Sequence, residues 1–195
     1  MTESQPKTTN FFHFYGPITP FSTQNLRNFM LDAVVHQAGD FVLLLSSEGG
    51  DLNSGFTMYN FLRSFPAPIT AVNMGTVESI AVPIFLAADK RLAVQQSRFL
   101  LHSFHWNYNA RVDYLRMAEN AGSLDFDAER YAQIFEDRTK GCKVPVDVRK
   151  CLAGRSQIIG SSAAEDAGLI TAAPIAPETV ITSENVIRMW WPATV

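Results

Sequence analysis

A proline inside an otherwise unbroken apolar run sets the tightest limit on how this chain folds. In Gly75-Thr-Val-Glu-Ser-Ile-Ala-Val-Pro-Ile-Phe-Leu-Ala-Ala88 every residue from Ile80 onward is apolar. A proline is tolerated in a helix only within the first turn, among N–H groups that have no intrahelical partner. Pro83 therefore starts a buried helix close to Ser79. Before it, Ile69-Thr-Ala-Val-Asn73 has the β-branched content of a strand, and Gly75 permits a sharp exit, so the strand is expected to stop near Gly75. A serine at a helix N-terminus sits in positive potential beside free backbone N–H groups that can hold an oxyanion. That placement suits a nucleophile. It equally suits a plain N-cap, for which serine is a preferred residue, and this stretch alone leaves both open.

The flanking chain alternates strand and helix patterns. Residues up to Asn10 are polar and expected to be loose, and Phe11–Tyr15 reads as a strand closed by Gly16-Pro17. Ser22 or Thr23 caps a helix in which Leu26, Phe29, Met30, Ala33 and Val34 recur at helical spacing. Phe41–Leu45 is continuously apolar, as a strand buried on both faces of a parallel sheet would be. It runs into Ser46-Ser-Glu-Gly-Gly-Asp51, a glycine pair at a strand's carboxyl end where backbone can approach a ligand, followed by a helix over residues 52–64. Short strands are expected at Leu92–Val94 and Phe99–His102. This alternation specifies an α/β fold. From about residue 110 to 139 the chain becomes charged and helix-forming, with Val112, Leu115, Tyr131, Ile134 and Phe135 as its larger apolar residues. We expect this helix, with a possible interruption at Gly122, to project from the domain and to need a partner for its stripe. A helix after Pro145, a strand at Gln157–Ile159, a capping box at Ser162–Glu165 and a helix stop at Gly168 follow, and Met189-Trp-Trp191 is expected to pack on a neighbouring surface. The organisation read here is a flexible segment over residues 1–10 and a single domain over 11–195.

Charge and cysteine content narrow the function. A net charge of −3 without a lysine or arginine block lacks the footprint of nucleic-acid or anionic-membrane binding. Cys142 and Cys151, the only two cysteines, have neither metal-knuckle nor redox spacing and suit a reducing compartment. No signal peptide or membrane-spanning run is legible, so a cytoplasmic location is expected. His102 and His105 could share a metal, but no cysteine or acidic cluster completes the set; neither a metal nor a cofactor is expected.

The glycine pair after a buried strand, the serine at a helix start and the histidine ending a later strand lie in an order that resembles the Clp protease proteolytic subunit, of the ClpP/crotonase superfamily. Its Ser-Pro-Gly-Gly is matched by Ser47-Glu-Gly-Gly50, its Gly-x-x-x-Ser-Met by Gly75 to Ile80, and its Ser-Arg-apolar-apolar-Ile-His by Ser97 to His102. The spacing from glycine pair to serine carries no gap. Together these motifs cover about Tyr15 to Phe104, and Ala163–Ile170 extends the match. The resemblance implies a ClpP/crotonase-like fold of repeated strand–helix units with a projecting handle at about 110–139. It implies Ser79 as nucleophile and His102 as general base, with the N–H groups of Gly50 and Ile80 as oxyanion hole. It further implies a peptide groove lined by Leu52 and Phe104, tolerant of apolar side chains, and a homo-oligomer of stacked rings.

Three departures bear on activity and partners. The family's third triad member, an aspartate, aligns with Ser156; Asp147, Glu165 and Asp166 are nearby carboxylates that no pattern prefers. Glu78 places a carboxylate beside a site that develops negative charge. The short polar stretch before Phe11 sets the usual AAA+ unfoldase partner in doubt. The alternatives are a catalytically weak or inactive ring or scaffold subunit, and a crotonase-like acyl-coenzyme A enzyme, which leaves Ser79 and His102 without a role. A Ser-Lys dyad through Lys140 or Lys143 is disfavoured by the lack of a membrane segment.

Overall fold

The computed structural model describes residues 9–36, 39–106, 111–181 and 188–190. In chain order they form β1 (Thr9–Tyr15), α1 (Pro20–His36), β2 (Asp40–Ser47), α2 (Leu52–Arg63), β3 (Ile69–Glu78), α3 (Ala81–Leu86), β4 (Lys90–Ala93), β5 (Arg98–Leu101), α4 (Tyr114–Arg138), α5 (Val148–Leu152), β6 (Gln157–Gly160), α6 (Ser161–Ala164) and β7 (Arg188–Trp190). The seven strands make one sheet in the order β6-β5-β3-β2-β1-β7, with β4 also paired to β3. Every pairing is parallel except β5 with β6.

The centre of the sheet is β3, and its length corrects the expectation that the strand stops near Gly75. It pairs with β4 over Thr70–Asn73, then with β5 over Thr76–Glu78. Gly75 lies where the partner changes, opposite a register shift in β2 between Leu45 and Ser47. A Cβ there would come within 3.3 Å of the Ser46 hydroxyl. The glycine marks a close approach inside a strand rather than a strand end. Asn73, fully buried, spans the switch: its side chain donates to the Arg98 carbonyl (2.8 Å) and accepts from Gly75 N–H (3.0 Å).

One face of the sheet carries the main core. Phe12, Phe14, Leu43 and Leu45 meet Leu26 and Met30 of α1, Phe56 and Leu62 of α2, and all of α3. Pro83 is the third residue of α3, within the first turn as expected. The other face is covered by a smaller cluster in which Phe11, Leu44 and Val72 pack with Val94 and Val180. The far end of α3 is clasped by arginines: Arg138 donates to the carbonyls of Leu86 and Ala88, and buried Arg91 to those of Ala88, Gly168 and Leu169. Burial, then the neighbouring Arg138 charge, pulls Arg91 down to about 10.

Several local expectations change. β1 begins at Thr9, two residues before Phe11, while the rest of the stretch read as loose lies outside the described residues. α1 starts at Pro20, because Thr19 and Ser22 exchange backbone-to-hydroxyl bonds at 3.0 and 2.9 Å; Ser22 is inside the helix and Thr19 does the capping. α6 starts at Ser161, with no side-chain cap, so Ser162 and Glu165 form no capping box. Met189 and Trp190 add β7 to the sheet beside β1, and Trp191 lies outside the described residues. α4 runs through Gly122 without a break, and its apolar residues divide into two groups. Tyr131 and Phe135 are buried in the core with Ile134 packed against it, whereas Tyr114, Leu115, Met117 and Phe126 are exposed. The projecting stripe is therefore the amino-terminal half of α4, not the residues nearer its end. No helix among the described residues is long and apolar enough to cross a membrane.

Candidate active site

The turn from β3 into α3 is tightly constrained. Ser79 has φ 52, a left-handed conformation that costs a β-carbon-bearing residue about 1–3 kcal/mol unless its surroundings enforce it. They do so from three sides. Its N–H donates to the Leu100 carbonyl of β5 (3.0 Å), and its carbonyl accepts from Val82 N–H (3.0 Å) and from the Tyr131 hydroxyl (3.2 Å). Gly49 closes the fourth side: a Cβ there would stand 2.7 Å from Ser79 Cβ and 3.3 Å from its Oγ. Neither capping nor any other hydrogen bond occupies the Ser79 hydroxyl among the described residues, and the cap position of α3 is Ile80, without a side-chain bond. Ser79 is thus not an N-cap.

Tyr131 was legible only as part of a helix stripe, yet it ties α4 to the serine turn. Burial pushes its phenol well above the usual value, which keeps it a donor, and Phe104 stands edge-on to its ring at 5.6 Å. α2 contributes by proximity. A Cβ on Gly55 would collide with the Ile80 side chain, so the glycine lets α2 lie directly on the turn.

One cavity of about 290 Å³ brings together Ser79, His102, Gly50, Leu52 and Phe104. His105, Glu48, Gly49 and Pro17 complete its lining. Of the expected site residues only Ile80 is not in the wall, being fully buried directly after Ser79. Ile18 holds the glycine turn through bonds to Gly49 O and from Asp51 N (both 2.8 Å), leaving Gly50 N–H without a partner among the described residues; Ile80 N–H is likewise unengaged.

The histidine has a neutral neighbour. His102 Nδ1 lies 2.7 Å from the Ser103 carbonyl, and because a carbonyl only accepts, Nδ1 carries the proton and Nε2 is the ring's acceptor. No carboxylate bonds to it among the described residues. Asp147 caps α5 at Lys150 N–H (3.1 Å) and pairs with the Lys150 ammonium (2.7 Å), Asp166 pairs with Lys143 (2.9 Å), and Glu165 is exposed at the end of α6. Glu78 is also engaged elsewhere: its carboxylate accepts from Arg98 and from the Thr76 hydroxyl, both at 2.6 Å. The negative charge expected to oppose an oxyanion is paired. His105 stacks near His102 with ring centroids 6.4 Å apart, and no group of three metal-binding side chains forms among the described residues.

The sequence model of the Clp protease family matches residues 13–173, and the chain belongs to that family. Over 172 residues, 87% of this chain and 86% of the relative, it is 24% identical to the ATP-dependent Clp protease proteolytic subunit 3 of Rhizobium meliloti. A shorter stretch of 75 residues is 37% identical to proteolytic subunit 2 of Borreliella burgdorferi, where the match spans 37% of either protein. Among solved structures, an asparagine-to-aspartate mutant of ClpP1 from Listeria monocytogenes superposes with a TM-score of 0.72 over 85% of this chain and 91% of that one, at 18% identity. That likeness carries the fold, a ClpP-like α/β architecture.

Proposed function

We propose that this chain is a serine-type endopeptidase of the Clp kind, acting on peptides or unfolded chains. The supporting observation is the enforced left-handed turn that presents an unbonded Ser79 hydroxyl to the cavity it shares with His102 and Gly50. In the reaction, Ser79 Oγ adds to the scissile carbonyl while His102 Nε2 takes its proton. The N–H groups of Gly50 and Ile80 hold the oxyanion. The proton passes to the departing amine, and water attacks the acyl-serine ester to regenerate Ser79. The Ser103 carbonyl holds His102 in the tautomer this requires. No cofactor or metal enters the scheme.

We further propose that the chain is cytoplasmic, organised as one domain over residues 11–195, and assembles as stacked rings through the exposed half of α4. The test of the chemistry is intact-mass analysis after treatment with a fluorophosphonate, in which Ser79 Oγ displaces fluoride from phosphorus. One adduct on the native chain and none on Ser79→Ala is the expected result. Absence of any adduct favours the second reading, a non-catalytic ring subunit, which draws on the lack of a carboxylate bonded to His102 among the described residues.

A further inference from the structure

Next to the Ser79 cavity lies a second one, of about 390 Å³, lined by Tyr15, Ser46, Ser47, Glu48 and Thr76 together with the Gly16-Pro17 turn. Pro17 and Glu48 belong to both linings, so the two cavities are neighbours across the glycine turn that carries Gly50. Glu48 stands two residues before Gly50, where the family motif has proline, and it is exposed. Among the described residues no cation pairs with it, and no lysine, arginine or histidine lines this second cavity. The remaining lining is the exposed face of Tyr15, at 74%, and the hydroxyls of Ser46 and Thr76. A carboxylate, a π-face and hydroxyl acceptors around a space with no cation of its own match one kind of guest. The aromatic ring takes the alkyl stem and attracts the positive head, and the carboxylate and hydroxyls accept its N–H bonds.

We propose that this cavity is a subsite for a lysine or arginine side chain of the substrate peptide, placed close to the scissile bond on the side away from Leu52 and Phe104. The site then reads an apolar residue on one side of the bond and a basic one on the other. This rests on the peptidase reading of Ser79. Since Glu48 is solvent-facing, its attraction is screened, and the selectivity falls as ionic strength rises.

The experiment is a peptide series with lysine, arginine, norleucine or glutamate placed in turn at each position flanking the cleaved bond. It is read as kcat/KM on the native chain and as fluorescence anisotropy binding to Ser79→Ala. Lysine and arginine should exceed norleucine by about fivefold or more at one position, as a carboxylate and a ring together allow. Glu48→Gln should bring the lysine-to-norleucine ratio to near one, whatever change it makes to the rate common to all peptides, and Tyr15→Ala should lower the ratio from its native value. Equal handling of lysine and norleucine at every position, or a lysine preference that survives Glu48→Gln, overturns the subsite. Failure of Ser79 to take a fluorophosphonate overturns the peptidase reading instead, and the anisotropy ratio still reports on the cavity.

Discussion

Replacing Gly49 by alanine tests whether the serine turn is as tightly enclosed as its contacts indicate. Gly49 has φ 92, and an alanine methyl there would sit 2.7 Å from Ser79 Cβ and 3.0 Å from the Glu78 carbonyl. The backbone angle alone costs an L-residue roughly 1–2 kcal/mol, and forcing a methyl into a filled space adds about 1–3 kcal/mol. Relief would require Ser79 to move, but its N–H and carbonyl are held by Leu100, Val82 and Tyr131. We therefore expect a loss of about 2–5 kcal/mol, seen in urea unfolding followed by circular dichroism, and a lower Tm by some 4 to 20 °C for a chain of this size. Because a displacement of about 1 Å in a reacting group costs on the order of a hundredfold, fluorophosphonate labelling of the still-folded variant should fall at least tenfold. Gly122→Ala is the control: nothing lies within 4 Å of its Cβ, so alanine in this helix should stabilise by about 0.5–1 kcal/mol. Native-rate labelling with less than about 0.5 kcal/mol lost in Gly49→Ala, below what most buried-site substitutions cost, would refute the reasoning.

Tyr131→Phe removes the donor to Ser79 O, but Val82 still serves that carbonyl, so the stability loss should be near the low end of about 0.5–1.5 kcal/mol. Labelling should slow severalfold; a stability loss with unchanged labelling would mean that Tyr131 only fills the core. The double variant Tyr114→Glu, Leu115→Glu acts on side chains 76% and 71% exposed, so it should reduce the assembly to smaller species in light scattering while far-UV circular dichroism stays native. If the mass is unchanged, assembly does not run through this half of α4. Ser156→Asp should raise peptide turnover severalfold, measured against native chain on one peptide; no gain would show that a carboxylate at this position does not reach His102.

Much of the architecture was legible because it follows from backbone limits. Pro83 could be nowhere but in a first turn, and the apolar run of β2 could only be a central strand. Ser79, His102, Gly50, Leu52 and Phe104 were named from motif order, and one cavity gathers them. What could not be read depends on distant packing. Gly75 looks like a strand end in a one-dimensional pattern, and only the exchange of β4 for β5 beside β3 makes it an interior position. Tyr131 and Leu115 were read as one stripe, yet at about 100° per residue they stand roughly 160° apart around α4, and one is buried under the serine turn while the other stands in solvent. Gly49 stood out as one of a glycine pair at a strand end, whereas Gly55 inside a helix carried no such mark, and which atoms either admits appears only in three dimensions. Glu48 stood out as a departure without revealing that a second cavity opens behind it.

Under the proposed mechanism, the missing aspartate is less damaging than its absence from the sequence suggests. In serine proteases with a buried triad aspartate, its amide variant loses about 10⁴ in kcat because the imidazole takes the wrong tautomer. Here the Ser103 carbonyl accepts from Nδ1 at 2.7 Å and fixes the same tautomer, so that part of the loss does not arise. What a carbonyl lacks is the full negative charge that stabilises the imidazolium formed after proton transfer. The deficit is therefore electrostatic rather than geometric, and charge is what a single substitution can supply. The register of β5 with β6 ends on the pair Leu101 and Gln157, and His102 and Ser156 are the next residues beyond that pair on the two chains. A carboxylate at that position adds charge to a ring already oriented. Under the proposed mechanism native turnover then falls between that of an amide-substituted triad and a complete one, whereas a scaffold subunit would gain nothing from the charge.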